Sequence, residues 1–319
     1  MLVRIVKNWT APDLFRQTPD SKGIWDDIHF TFDPVDECDG LLVLNVLKED
    51  ITVRCPPENI WAIFQEPYLP DFLPWMKDGH EQFARVYTHR PPTMDPRYHP
   101  APPLVPWHVG MSYDELLHVH HMPKNDSIVW VTSALQVLPG HVKRYGFYQF
   151  LKEKGWSDLN ICGRGIRQIK DKWDVLDRCR YAIAVENHCG DNYWTEKIAD
   201  CWLSETLPFY YGCPNLENFF PADSFVRIDL DDFDSAASVI RRVVDSGEYE
   251  KRLPAIREAR KLVLNQFQFF PFMAKEMQNG FRRASLVPVH LSSFRQGPLD
   301  RLRNHCNQML HLYKARNFS

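Results

Sequence analysis

A carboxylate and an amide at the end of an apolar run, followed within one loop by a threonine, a second carboxylate and a lysine, form the most chemically capable part of this chain. In the segment 181–214 the run YAIAV ends in Glu186 and Asn187, and Tyr193, Thr195, Glu196 and Lys197 lead into EKIADCWLSE. An apolar run of that length suits a buried parallel strand, and open α/β sheets place their ligands at the carboxyl ends of such strands. Thr195 is a good N-cap, which leaves Glu196 and Lys197 in a first helical turn beside free backbone N–H groups and the positive end of the dipole. A turn of this kind suits the diphosphate and ribose of a nucleotide sugar. LPFYY then supplies the next strand.

The elements that must position these residues follow an α/β alternation. At 319 residues the chain exceeds the usual size of a single core, so two domains are expected. In the first part, strands are predicted at 2–7, 40–44, 60–64 and 83–89. The proline-dense stretch 91–106 must be extended or looped, because each proline fixes φ and removes a donor. From Ile128 the alternation runs strand IVWVTSA, helix VKRYGFYQFLKEKG closed by Gly155, strand LNICG and helix DKWDVLDRCR. Three closing helices are predicted at 236–244, 249–266 and 272–283.

Composition narrows the function classes. A net charge of −3 argues against nucleic acid as a main partner. MLVRIVKNW alternates like a first strand and lacks the apolar core of an export signal, and no later segment is long and apolar enough to span a bilayer. The eight cysteines include no Cys-x-x-Cys pair, which fits reduced thiols in a cytosol. His108, His118, His120 and His121 invite a metal reading, but adjacent histidines point to opposite faces and no cysteine or carboxylate spacing accompanies them, so no metal is expected. The tail beyond residue 285 is basic through Arg295, Arg301, Arg303, Lys314 and Arg316. It reads either as a solvated tail or as a peripheral contact with anionic membrane headgroups.

VENHCGDNYWTEKIADCWLSETLPFYYGCPN, with the later PADSFVRIDLDDF, resembles the donor-binding signature of the family 10 glycosyltransferases, the α1,3/4-fucosyltransferases. The likeness runs in order through about 129–233 and is much weaker in the N-terminal third. It implies a GT-B fold of two Rossmann-like domains facing across a cleft. An acceptor-binding domain would occupy 1–125, a GDP-sugar-binding domain 126–285, and a tail 286–319 would return toward the first domain or fray. Animal members carry a membrane anchor and stem, so the bacterial soluble type, cytoplasmic and at most peripheral on the inner membrane, is the closer comparison.

The resemblance also implies roles. Sugar transfer builds negative charge on the leaving diphosphate, which cations must meet. Lys197 and Arg144 are the candidates, with Lys143 as the alternative to Arg144, and the phosphate handling they imply needs no metal or other cofactor. Glu196 would bind the ribose hydroxyls, and Glu186, Asn187, Tyr193 and Thr195 would shape the donor pocket, Glu186 being equally readable as a structural strand-end residue. Glu66, after the apolar strand IWAIF, is the expected base that takes the proton from the attacking hydroxyl. Its surroundings read QEP where the family has Glu-Ser-Pro, and Asp71 is the alternative under a different alignment. Gly163, Arg164 and Gly165 suit either a close backbone approach to the nucleotide or an ordinary turn. Trp107 suits either stacking on an acceptor sugar or a packed loop. The expected activity is inverting transfer of L-fucose from GDP-fucose to a glycan hydroxyl, such as one on lipopolysaccharide. The other readings are a GT-B transferase using another nucleotide sugar and a non-catalytic nucleotide-sugar-binding protein.

Overall fold

The computed structural model describes residues 1–92 and 94–317. The chain divides into two α/β units. The first comprises Met1–Pro106, Ser112–Leu117 and Gln266–Cys306, and the second Trp107–Met111, His118–Asn265 and Asn307–Ser319.

The first unit is built on β1 (Leu2–Lys7), β2 (Ile24–Trp25), β3 (Ile28–Thr31), β4 (Gly40–Leu44), β5 (Ile51–Cys55), β6 (Ile60–Ile63), β7 (Arg85–Thr88) and β8 (Tyr98–Pro100). Seven of them form a sheet in the order β2-β3-β1-β4-β6-β7-β8, parallel throughout except for the β2–β3 pair. β4 reads GLLVL because both faces of its sheet are covered. Leu42, Leu44, Trp61 and Ile63 face one core, while Leu41, Val43, Ile60 and Ala62 face the other.

The second unit holds β9 (Asn125–Val131), β10 (Leu159–Cys162), β11 (Cys179–Val185), β12 (Leu207–Tyr211) and β13 (Val226–Arg227) in the parallel order β10-β9-β11-β12-β13. The chain moves outward from β9 to β10 and then jumps back to β11 on the other side. The ends of β9 and β11 therefore flank a topological switch point, where α/β sheets bind ligands. A short helix α1 (Tyr113–His118) belongs mostly to the first unit. α2 (Pro139–Lys154), α3 (Trp173–Leu176), α4 (Glu196–Leu203), α5 (Phe233–Asp245) and α6 (Tyr249–Leu262) belong to the second. Gly155, at φ 64°, ends α2 in the left-handed conformation that glycine adopts without strain.

After α6 the chain returns to the first unit. α7 (Phe269–Gly280) buries Phe269, Phe270, Met273 and Met277 in the first unit's core, and β14 (Val287–Leu291) pairs antiparallel with β5. The unit boundary therefore falls near 265, where 285 was expected, because the apolar face of α7 is complementary to the first sheet. α8 (Pro298–Asn317) makes a helix of much of the tail. Lys314 and Arg316 lie outside the residues whose side chains are described. Two further expectations change. The first sheet has β2, β3 and β8 beyond the strands read from the sequence, all too short to carry a period. Of the predicted helix DKWDVLDRCR only the single turn α3 forms, because the chain must enter β11 at Cys179 to pair with β9.

Candidate functional site

The end of β11 is organised around Glu186, which is 1% exposed. Its Oε1 accepts from the Thr195 N–H at 2.8 Å, and the Thr195 hydroxyl stands 3.0 Å from Oε1 and 2.8 Å from Oε2. Lys197 Nζ completes the cluster, 3.1 Å from Glu186 Oε2 and 3.0 Å from Thr195 Oγ1. Thr195 also accepts from the Lys197 N–H, capping α4. Burial raises the Glu186 carboxyl above its ordinary range against the pull of Lys197. Burial also works against the charge of Lys197, but Glu186 and Glu196 outweigh it and hold the ammonium protonated. A glycine is required opposite: a Cβ on Gly212 would stand 2.5 Å from Glu186 Cγ.

Across the switch point, Arg144 of α2 is 6% exposed. It donates through Nη1 to Asn187 Oδ1 at 2.6 Å and through Nη2 to Ser133 Oγ at 3.0 Å. One guanidinium thus ties the loop after β9 to the loop after β11. The first turn of α2 lies so close to that loop that a Cβ on Gly140 would stand 1.8 Å from the Asn187 carbonyl oxygen. Lys143, the alternative cation, points elsewhere, to Asp231 and Tyr211. His141, which the sequence reading passed over, is buried beside this cluster. Burial, with the Arg144 and Lys197 cations, pushes its pKa down to about 4, so the ring is neutral near pH 7.

Glu196 faces three basic groups. Its Oε1 lies 3.5 Å from Lys197 Nζ, 3.9 Å from Lys172 Nζ and 3.8 Å from His108 Nδ1. Burial opposes its charge, yet these neighbours hold the carboxyl far below the usual range. One turn on along α4, Asp200 is 1% exposed and accepts from Lys172 Nζ at 2.6 Å and from the N–H groups of His108 and Val109 at 2.8 and 3.3 Å. Lys172 and Asp200 were missed from sequence. The available signal was an acidic residue on the apolar face of EKIADCWL. Arg144, Lys172 and Lys197 thus meet three carboxylates, Glu186, Glu196 and Asp200, so the cluster is formally neutral before any anionic ligand arrives.

The remaining candidates are more dispersed. Trp107 is 1% exposed and its indole N–H donates to the Met111 carbonyl. Its ring is therefore packed and does not offer a stacking face, so of the two readings the packed loop is the one observed. Tyr193 is likewise buried, against His188. Gly163, at φ 124°, sits where a Cβ would stand 1.8 Å from the Thr132 carbonyl, a close approach only glycine allows, and Arg164 beside it is exposed. Glu66 belongs to the first unit. It is exposed, three residues beyond β6 at the carboxyl edge of that sheet. Its neighbour Gln65 is buried, accepts from Trp9 Nε1 and donates to the Leu104 carbonyl. Asp71 pairs with Lys77 at 3.3 Å. Of the histidine cluster, His121 engages Asp177 at 2.7 Å. Among the described residues no group of three or more His, Cys, Asp or Glu side chains is arranged to hold a metal ion, and no helix is long and apolar enough to cross a membrane.

Residues 121–250, which carry most of this site, match the family model described as Glycosyltransferase family 10 (fucosyltransferase) C-term. This region is similar to glycosyltransferase family 10. The chain is similar to the alpha-(1,3)-fucosyltransferase FucT of Helicobacter pylori, 36% identical over 88 residues, 27% of this chain and 18% of that protein. It is also similar to the 4-galactosyl-N-acetylglucosaminide 3-alpha-L-fucosyltransferase 9 of Mus musculus, 27% identical over 157 residues, 47% of this chain and 39% of that one. The matched regions thus span less than half the length of either relative. A crystal structure of an alpha1,3-fucosyltransferase with GDP superposes with a TM-score of 0.50 at 16% identity, over 81% of this chain and 82% of that one. The matched region lies in the second unit, and the likeness to the solved structure is one of fold, GT-B.

Proposed function

We propose that this chain is an inverting fucosyltransferase that moves L-fucose from GDP-fucose to a hydroxyl of a glycan. The reading is carried by one observation: within the region that matches the family 10 model, Arg144, Asn187, Thr195 and Lys197 converge at the switch point of a parallel sheet. In this reading the acceptor hydroxyl oxygen attacks the anomeric carbon, its proton passes to Glu66, and the bond from that carbon to the diphosphate oxygen breaks. GDP leaves with the bonding pair. Arg144 and Lys197 meet the charge that grows on the phosphates, where fixed cations act most strongly on the barrier. Glu196 accepts the ribose hydroxyls. Galactosyl-N-acetylglucosaminides, named for the mouse relative, are the acceptors to try first, with lipopolysaccharide glycans next. The handling of phosphate by side-chain cations predicts turnover that survives EDTA.

The deciding experiment is thermal stabilisation by GDP, GDP-fucose, UDP, dTDP and CMP. A shift confined to the guanosine ligands is expected. Stabilisation by another nucleotide, or by none, overturns the donor assignment. The accompanying placement is cytoplasmic, with the basic tail in peripheral contact with anionic lipid; flotation with phosphatidylglycerol vesicles at low salt tests it, and absence of binding removes it.

A further inference from the structure

A cavity of about 850 Å³ lies within the first unit and is lined by residues of that unit alone. Its size is in the range of small-ligand sites. The loop after β4, the segment 74–83 and residues 292–304 enclose it. The roof is latched in two places. Gln82 exchanges hydrogen bonds with the backbone of Ser292, and Asp50 accepts from Ser293 and Arg295.

The lining gives the chemistry of a ligand. Trp75, Phe83 and Phe294 contribute aromatic surface. Two further lining residues, Gln296 and Asn304, each carry a buried amide atom, Nε2 and Oδ1, without a hydrogen-bond partner among the described residues. One is a donor and the other an acceptor, and such atoms are costly to leave unanswered. The lining cations are already committed: Lys77 pairs with Asp71, Arg295 with Asp50 and Arg303 with Asp300. Asp78 and Glu81 add negative charge at the wall. Four lining carboxylates, Asp50, Asp78, Glu81 and Asp300, outnumber those three cations, so a phosphate or carboxylate ligand would meet net negative charge there. Rings beside an amide donor, an amide acceptor and carboxylates match a neutral polyhydroxy ligand, whose C–H faces lie on rings while its hydroxyls both donate and accept.

The cavity is also connected to the expected base. Asn45 lines it, and Asn45 Oδ1 accepts the backbone N–H of Gln65 at 2.8 Å, the residue immediately before Glu66. We propose that this cavity binds a neutral oligosaccharide, holding the sugar units of the glycan beyond the one whose hydroxyl reacts. The link to a reacting hydroxyl rests on the transferase reading above, while the saccharide site itself stands on the cavity.

Saturation-transfer NMR and calorimetry on the full chain, without donor, test it with lactosamine, malto-, cello- and chito-oligosaccharides of two to six units. At least one series binds, and affinity rises with length. Asn304→Leu and Gln296→Leu each remove a buried polar atom that has no partner, so melting temperature is unchanged or raised while saccharide affinity falls about fivefold, the worth of one hydrogen bond. A purely structural role predicts lower stability and unaltered saccharide binding. The proposal is overturned if no series binds the native chain, or if both variants bind as tightly as it does. Saccharide binding without GDP-fucose turnover would remove the transferase reading and leave the cavity assignment standing. Fucose transfer with no saccharide signal and the same KM for short and long glycans would do the reverse.

Discussion

Replacing Lys197 by methionine tests the central electrostatic argument, because the lysine compensates a carboxylate that has no access to water. Glu186 is 1% exposed and Lys197 Nζ stands 3.1 Å from its Oε2. Removing one partner of a buried pair typically costs about 3–5 kcal/mol, and in a domain of this size each kcal/mol moves the melting point by roughly 2–4 °C. The Thr195 hydrogen bonds to Glu186 survive the change, so the low end applies and the second unit should melt roughly 10 °C earlier at pH 7. The loss depends on pH with a defined sign. Burial holds the folded Glu186 carboxyl above its unfolded value, and without Lys197 it rises further, so the penalty is full above the raised folded pKa and fades as pH falls through it and the group takes a proton. Adding Glu186→Gln to Lys197→Met removes the stranded charge, keeps an oxygen for Thr195 and should restore most of the stability. Calorimetric scans of the native chain, both single variants and the double variant at pH 5 and 7 supply the cycle. Equal melting of Lys197→Met and the native chain, or a double variant no better than the single, refutes the reasoning. The double variant is then also the proper control for the part of Lys197 in nucleotide binding, since a lysine deletion alone confounds lost affinity with lost stability.

Arg144→Ala should weaken GDP binding about tenfold or more by calorimetry and lower turnover with it, whereas Lys143→Ala, whose partners are Asp231 and Tyr211, should leave both near native. Glu66→Gln should cut kcat on the order of a hundredfold with GDP affinity intact, and a native rate would exclude Glu66 as the base. GDP binding should be accompanied by proton uptake, seen as a buffer-dependent enthalpy in calorimetry, because added negative charge raises the Glu186 carboxyl further; affinity then increases as pH falls, and a buffer-independent enthalpy would exclude the coupling. Asp200→Ala leaves Lys172 only its longer contact with Glu196 and frees the N–H groups of His108 and Val109, so it should cost about 3 kcal/mol in a denaturant titration, and a loss below 1 kcal/mol would show that the contact is slack.

The local part of this architecture was readable from the chain, and the part made by distant pairings was not. YAIAV and its flanking residues announce β11, Thr195 announces the start of α4, and Gly155 announces the end of α2, because each signal acts within a few residues. The same locality explains why Glu186, Asn187 and Lys197 were found together. Lys172 and Asp200 escaped because their meaning lies in a contact across separate elements, and His141 because a lone histidine at a helix start carries no signal until its neighbours are known. Trp107 stayed open between a sugar platform and a packed loop for a related reason, because only packing shows that its ring is enclosed. In the first unit, β2 and β8 are too short to show a period, and β5 acquires its partner strand from β14, more than two hundred residues later in the chain.

That last pairing imposes an order on synthesis. Domains usually fold as they leave the ribosome, amino-terminal unit first. Here the earlier-made strands wait for α7 and β14, while every strand of the second sheet has emerged by Arg227. The second sheet is thus complete while the first unit still lacks a helix of its core. A nascent chain stalled after about residue 265 should carry a protease-resistant second unit and a first unit that is still cleaved, and an expression design that separates the two must rejoin 266–306 to 1–106.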